Sequence, residues 1–319
     1  MPFLFLAAAL AVIASVPAWK RWCVARGWLD RPGPRKVHET PVPLAGGLAV
    51  LTGMLVALGA AWAGTRLHWI NVALFSQPTG PPAHPTRLWI LLAGACAMTG
   101  LGWVDDRKDL RPVSKFTGQL GIAAVVACLG LELPSPAALP GLGPLLGVLW
   151  ILTLTNAVNF TDNMNGLCAG LGILGSAAFA ASAARTGNPL AAAIGALASG
   201  ALAGFLPWNF PRATAFLGDA GSHLVGYLLA ILSLQSYEHA LTSGSTMSPA
   251  AVRALLILIV PLTDLGSVVI LRWRHGRPFY VGDTNHFSHR LVRRGFSPAQ
   301  AVAILWGIAA AGAAAAWCV

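Results

Sequence analysis

Charge is what this 319-residue sequence has least of: only 10% of its residues are Asp, Glu, Lys or Arg, against roughly a quarter in an ordinary soluble domain. That shortage excludes a soluble protein of usual makeup. With 56% hydrophobic residues and a mean hydropathy of +0.66, an integral membrane protein is predicted. Acids are scarcer than bases, 11 against 21. In a soluble chain that excess would point to nucleic acid; here it concerns which membrane face carries the charge, and no nucleic-acid partner is expected. Cysteine is sparse too. Cys23, Cys96, Cys128, Cys168 and Cys318 stand singly among apolar segments, with no CxxC pair and no Cys/His cluster of zinc spacing, so they are read as packing residues. No internal repeat is visible. Spans use up nearly the whole length, which leaves no room for a sizeable soluble module, and residues 1–319 are read as one domain.

What is there is a series of apolar runs. They fall at about 3–19, 44–63, 87–104, 116–133, 143–160, 167–185, 189–206, 220–235, 250–271 and 299–319, each long enough to cross a bilayer or nearly so. The expected fold class is therefore all-α, a polytopic membrane bundle of about ten helices. The first run lacks a basic stretch before it and is followed by Lys20 and Arg21, so it is read as a retained helix and not a cleaved signal. Alternating the helices places about 17 of the 21 basic residues on one face, which the positive-inside rule makes cytoplasmic, with both termini outside. Most acids lie on that same face, although acids contribute little to orientation. A carboxylate cluster among arginines at one membrane face is the functional signal.

The densest polar interruption is Ala157 to Leu167, between two long apolar runs. Asn159, Asp162, Asn163, Asn165 and Gly166 supply carbonyl, carboxylate and amide groups on a tight turn, a place to hold a metal ion or a sugar nucleotide, or else an ordinary interhelical turn. The sequon Asn159-Phe160-Thr161 falls on the cytoplasmic side and is discarded as a glycosylation site. Asp105 and Asp106 stand where a helix meets water, able to share a divalent cation or take a proton, or to pair with Arg107 and Lys108. Lys115 opens the next helix as a phosphate contact or a membrane anchor. Asp219, just before another helix, is a ligand or a cap for that helix. Phe216 could stack on a planar base or anchor at the interface. Asp264 is an acid inside a span, and intramembrane acids are functional candidates by default. Arg272, Arg274, Arg277, His286, His289 and Arg290 make a surface suited to phosphate or to anionic lipid. Arg35, Lys36 and His38 lead into Gly46-Gly47, where a backbone can approach closely.

In that order the motifs resemble the polyprenyl-phosphate N-acetylhexosamine-1-phosphate transferases, the WecA/TagO-like branch more than the MraY branch. The matching stretches are Lys36, His38 and Gly46-Gly47; Asp105-Asp106; Asn156-Ala157-Val158-Asn159 with Asp162; Phe216 to Ser222; and Asp264 with Asp283 to Leu291. Three positions depart from the family pattern: Asn165 stands where an acid is usual, Ser288 where a second adjacent histidine is usual, and Arg212 where a proline is common.

The resemblance implies transfer of a sugar 1-phosphate, most simply N-acetylglucosamine 1-phosphate, from a UDP-sugar to a polyprenyl phosphate such as undecaprenyl phosphate, releasing UMP. It implies Mg²⁺, with Mn²⁺ as a substitute, a bacterial cytoplasmic membrane with the site on its cytoplasmic face, the lipid bilayer as surroundings, and it allows a homodimer. By resemblance Asp219 is the leading metal ligand, with Asp162. Asp105 and Asp106 orient the nucleophile or accept a proton, and His286, His289 and Arg290 meet the diphosphate. Asn156, Asn159, Asp162 and Asn165 hold the nucleotide sugar, with Lys36, His38, Lys115 and Phe216 as further substrate contacts. Two other readings stand beside it: a transporter or flippase for a phosphorylated lipid, which would show repeated halves and midplane charges, and a catalytically silent binding homologue, motivated by Asn165 and Ser288.

Overall fold

A computed structural model describes residues 1–32, 40–72, 85–131, 133–135, 137–243, 247–278, 280 and 283–319. Lys36 and His38, two of the expected substrate contacts, lie outside them. The described chain is helical apart from one short antiparallel pair, β1 (Leu29–Asp30) and β2 (Val42–Pro43), with Leu29 opposite Pro43. The helices are α1 (Pro2–Arg26), α2 (Gly46–Arg66), α3 (Pro85–Lys108), α4 (Pro112–Leu129), α5 (Leu142–Thr161), α6 (Leu167–Thr186), α7 (Pro189–Asn209), α8 (Gly218–Thr242), α9 (Met247–Ile257), α10 (Ile259–Arg274), α11 (Phe287–Arg293) and α12 (Pro298–Ala315). Eight of them are long and apolar enough to cross a membrane, and the bent pair α9 and α10 makes up to nine. The protein is a polytopic all-α membrane protein.

That bent pair corrects one expectation. The run at 250–271 reads as a single helix, but it is two, turned by 75°. The cause lies in Pro261, in the first turn of α10: it has no N–H to bond back to Ile257, and its ring crowds that carbonyl.

α8 is the central helix. It packs against α2, α3, α5, α6, α7 and α9, and most of its residues from Gly218 to Leu232 are buried. Surrounded by protein instead of lipid, it can carry Asp219, His223, Gln235 and Glu238, which a lipid-facing helix could not do cheaply. α3 runs antiparallel to it. At one end Arg87 of α3 pairs with both carboxylate oxygens of Glu238; at the other, Asp105 and Asp106 meet the start of α8.

Close packing elsewhere uses small residues, as expected where lipid tails offer no hydrophobic driving force between helices. Gly200 and Gly204, four apart on α7, let α1 lie directly on that helix: a Cβ at Gly200 would stand 2.2 Å from the Phe5 carbonyl oxygen, and one at Gly204 2.4 Å from that of Ala9.

Candidate active site at the ends of α3, α5 and α8

The start of α8 is a junction of backbone groups. The N-terminus of α2 donates from Gly46 N to Phe216 O (2.9 Å) and from Gly47 N to Leu217 O (3.0 Å), while Phe216 N donates to Pro43 O at 3.0 Å. The Gly-Gly entry therefore fixes the loop that carries Asp219. On the other side α3 comes so close that a Cβ at Gly102 would fall 2.2 Å from the Asp219 carbonyl oxygen. That approach brings Asp106 over the first turn of α8, where its carboxylate accepts from Asp219 N at 2.8 Å and Ala220 N at 3.0 Å. The helix cap considered for Asp219 is thus provided by Asp106.

Asp105 and Asp219 share a cation. Lys115 Nζ stands 2.8 Å from a carboxylate oxygen of each, so the first turn of α4 closes the gap between α3 and α8. Asp105 is buried and its second oxygen accepts from Leu110 N at 2.8 Å. Asp219 is about one-third exposed at 31%, and its other oxygen accepts from Asn159 Nδ2 at 2.7 Å. Arg107 does not pair with these acids; its guanidinium lies over Trp28 (4.4 Å) and Trp103 (4.9 Å). Lys115, read as a substrate contact, is here a strut between two carboxylates.

Behind this pair lies a polar relay. Asn159 Nδ2 also donates to Ser222 Oγ at 2.8 Å. Asn156 donates to the Leu152 carbonyl and to Gln119 Oε1, both at 2.8 Å, which turns the Gln119 amide nitrogen toward His223 Nε2, 3.3 Å away. Asn156 thus spends its amide inside the protein. His223 is fully buried, and a ring nitrogen of it lies with carboxylate oxygens of Asp105 and Asp219 in a group whose atoms are all within 4.8 Å of one another. Sequence reasoning passed over His223 and Gln119. The available signal was spacing: His223 is four residues past Asp219 and Gln119 four past Lys115, each pair on one helix face.

The donor chemistry fits a divalent cation. Two carboxylates and an imidazole converge, and an ammonium already bridges the carboxylates. Asp162, the other expected metal ligand, is outside that group. It sits just after α5, and burial, then the charges of Asp219 and Asp106, push its carboxyl well above the usual range. Among the described residues its carboxyl takes no hydrogen bond, so its oxygens remain available.

A second cluster forms around the C-terminal loop. Asp264 Oδ2 is 2.7 Å from His286 Nδ1 and its Oδ1 accepts from Phe287 N at 2.7 Å, so one acid orients the imidazole and caps α11. His289 follows on α11, its ring centroid 6.3 Å from that of His286. Burial first, then His286 and Arg293, lower its pKa. Arg272, buried, lies over Phe160 at 5.0 Å and donates from Nε to Asp283 at 3.1 Å. Burial opposes ionisation of Asp283, but bonds from Arg272 and Asn285 outweigh it and hold the carboxyl at about 2. Arg290 packs its guanidinium 5.5 Å over Phe287.

The turn after α5 ties the two clusters together. Asn159 reaches Asp219, whereas Phe160 meets His286 edge-on at 5.6 Å and Asn163 Oδ1 accepts from Ser288 Oγ at 2.6 Å. Ser288, where a histidine is usual in the resemblance, is therefore the latch of this loop. Asn165 fastens the turn in a similar way, for its Nδ2 donates to Pro211 O at 3.2 Å, and Gly166 N donates to Asn209 Oδ1 at 2.7 Å.

Fold and site together define a multi-pass membrane protein with a cluster of two carboxylates and an imidazole whose donors fit a cation, and a neighbouring His/Arg loop at one end of its bundle. Residues 88–237 match the family described as glycosyl transferase family 4. The chain is 31% identical over 310 residues to the probable undecaprenyl-phosphate N-acetylglucosaminyl 1-phosphate transferase of Bacillus subtilis (strain 168), covering 95% of this chain and 80% of that protein. It is 36% identical over 317 residues to the decaprenyl-phosphate N-acetylglucosaminephosphotransferase of Mycobacterium tuberculosis (strain ATCC 25618 / H37Rv), covering 90% and 75%. It is 28% identical over 295 residues to the undecaprenyl-phosphate alpha-N-acetylglucosaminyl 1-phosphate transferase of Escherichia coli (strain K12), covering 88% and 73%. The chain belongs to glycosyl transferase family 4.

Proposed function

We propose that this chain transfers N-acetylglucosamine 1-phosphate from UDP-N-acetylglucosamine to a polyprenyl phosphate, releasing UMP, at the cytoplasmic face of a bacterial membrane. The observation that carries the reading is the turn after α5, which joins a carboxylate cation site to a His/Arg loop. Relatives whose names state this chemistry, aligned over most of the chain, support it.

An oxygen of the lipid phosphate forms a bond to the sugar-bound phosphorus while the bond from that phosphorus to the UMP oxygen breaks, and UMP leaves with the electron pair. A phosphate monoester with a second pKa near 6 is already largely dianionic at neutral pH, so the chain need not remove a proton from it. What remains is positioning and neutralisation of charge. Asp105, Asp219 and His223 would hold Mg²⁺ or Mn²⁺, and the ion would supply Lewis-acid neutralisation of the diphosphate.

Lys115 keeps the two carboxylates in place, and Asp106 fixes the turn from which Asp219 projects. Asp264 accepts from His286 Nδ1–H, which directs the other ring nitrogen toward the loop, where His286, His289 and Arg290 meet the diphosphate. Asp162 offers free oxygens to the cation or to sugar hydroxyls, and Phe216 stands in the loop that leads into Asp219, tied to Pro43 and Gly46.

In this reading α8 and the bent pair each cross the membrane. That gives about ten crossings, puts both termini outside and leaves the bases clustered inside. Mass spectrometry of lipid extracts after incubation with both substrates tests the reaction: a polyprenyl diphosphate bearing one N-acetylhexosamine is expected, and intact lipid phosphate alone would refute it.

A further inference from the structure

α3 and α8 carry the acid cluster at one end and meet again at the other. Both are unbroken, with no proline between Arg87 and Asp106 or between Asp219 and Glu238. Nineteen residues separate Arg87 from Asp106 on α3, and nineteen separate Asp219 from Glu238 on α8. At about 1.5 Å per residue each interval is roughly 28 Å. In an antiparallel pair, equal intervals mean that the Arg87–Glu238 contact and the Asp106 cap on α8 are made in the same axial register. A slide of one residue, about 1.5 Å, breaks both.

The remote contact is poorly built as a stabiliser. The Glu238 side chain is 6% exposed and that of Arg87 19%, so both charges have largely left water. Mutual attraction repays that cost only when the remaining polar atoms also find partners. Among the described residues they do not: Arg87 Nε and, one turn before Glu238, Gln235 Nε2 are buried without a hydrogen bond. What the contact does supply is geometry. Arg87 Nη1 donates to Glu238 Oε1 at 2.8 Å and Nη2 donates to Oε2, a fork of two parallel bonds that fixes position as well as distance. Contacts between the two ends hold less firmly along the axis. At Gly94 a Cβ would stand 2.4 Å from Tyr227 Oη; that approach sets how near the helices lie, and lipid adds no hydrophobic drive to choose one register over another. Tyr227 Oη donates a single bond to the Leu91 carbonyl oxygen at 2.8 Å, which a pivoting hydroxyl can follow over a short slide.

We propose that Arg87 and Glu238 are positioning residues for the transferase site: their fork sets the register of α3 on α8 and so delivers Asp106 to the Asp219 and Ala220 N–H groups at the opposite end of both helices. The catalytic consequence rests on the transferase reading, whereas the register is measured without it.

Full-length purified protein in detergent is compared as wild type, as Arg87→Met/Glu238→Leu, in which no charge is left buried, and as Arg87→Lys, which keeps the charge and loses the fork. Hydrogen exchange of the Asp219 and Ala220 amides is resolved by mass spectrometry, beside thermal midpoint and UMP release. The apolar pair should keep its midpoint within a few degrees, since replacing a buried ion pair by apolar side chains is often neutral or stabilising. Its Asp219 and Ala220 amides should nonetheless exchange at least about tenfold faster, while the middle of α8 stays protected. Its kcat should fall at least about tenfold with little change in KM for UDP-N-acetylglucosamine, as misplacement by about an ångström does. Arg87→Lys should move both readouts in the same direction by less. Wild-type exchange at Asp219 and Ala220 in the folded apolar pair overturns the proposal, and if that variant does not fold, wild-type exchange in Arg87→Lys does so. Faster exchange with undiminished UMP release overturns it too, for the register would then not serve the reaction. A wild type that releases no UMP would refute the transferase reading instead, with the exchange data still deciding the register.

Discussion

The Asp106 carboxylate on α3 caps α8 by accepting from the backbone N–H groups of Asp219 and Ala220 at 2.8 and 3.0 Å. One side chain thereby satisfies two of the orphan donors at a helix start and sets the direction in which Asp219 projects. Because both oxygens accept, an amide cannot replace the carboxylate: one of the two contacts becomes N–H facing N–H. Asp106→Asn is expected to lose roughly 1–2 kcal/mol of stability, the usual value of a cap, and turnover by at least about a hundredfold through misplacement of Asp219. Chemical unfolding and UMP release check this. Wild-type stability together with wild-type turnover would contradict it.

Lys115 stands where a cation is wanted, bridging Asp105 and Asp219. In Lys115→Met the two carboxylates lose that bridge and repel each other. Without divalent cation the variant should be less stable than wild type by roughly 1.5–3 kcal/mol, the range for hydrogen bonds to charged groups. Added Mg²⁺ should raise its thermal midpoint more than it raises that of wild type. An identical Mg²⁺ response in the two proteins would place the cation elsewhere.

Much of this was legible in the sequence, and the reason is local. All ten apolar runs coincide with a helix or with the bent pair, because span length and hydropathy are written into contiguous residues. The acids of 105–106 and 219 are visible as polar interruptions at run ends, and Gly46-Gly47 as a place for close approach. The partners of these residues are not contiguous. Lys115 finds Asp105 and Asp219, Ser288 finds Asn163, and His223 finds both the Gln119 amide and the acid pair only after α3, α4, α5 and α8 have packed. Asp264 looked like an isolated intramembrane acid; the fold returns α11 over α10 and makes it the partner of His286. The division of 250–271 into two helices was announced by Pro261, but apolar periodicity across it masked the break.

Asn165 occupies the place of a usual acid in the resemblance, yet its amide donates to the Pro211 carbonyl. A carboxylate there would set oxygen against oxygen. Asn165→Asp is therefore expected to cost about 1 kcal/mol and to lower turnover modestly, by less than about tenfold, with no gain. A several-fold increase in UMP release by this variant would show that the wild-type amide limits the reaction and is not a latch.

Acid should loosen the C-terminal loop in a defined window. The Asp283 carboxyl is held at about 2 against an ordinary 3.8, so its contribution is fully present above the unfolded value and is lost as pH falls through the folded one. Hydrogen exchange at residues 284–293 should be slow and steady, after correction for intrinsic rates, from about pH 7 to 5. Protection should weaken below about pH 4, and in Asp283→Asn it should be reduced throughout. Equal protection in the variant would remove Asp283 from the account.

The central claim is that this chain couples loss of UMP to acceptance by a lipid phosphate at the Asp105/Asp219/His223 site. Purified protein with UDP-N-acetylglucosamine, undecaprenyl phosphate and Mg²⁺ is followed for UMP, with parallel reactions lacking the lipid, containing a chelator, or using Asp219→Ala. The account predicts UMP equal in amount to lipid-linked sugar in the complete reaction, and at least about a thousandfold less in each of the other three, the scale on which loss of a central electrostatic stabiliser is felt. UMP release that persists without lipid phosphate, or undiminished activity in Asp219→Ala, would contradict it.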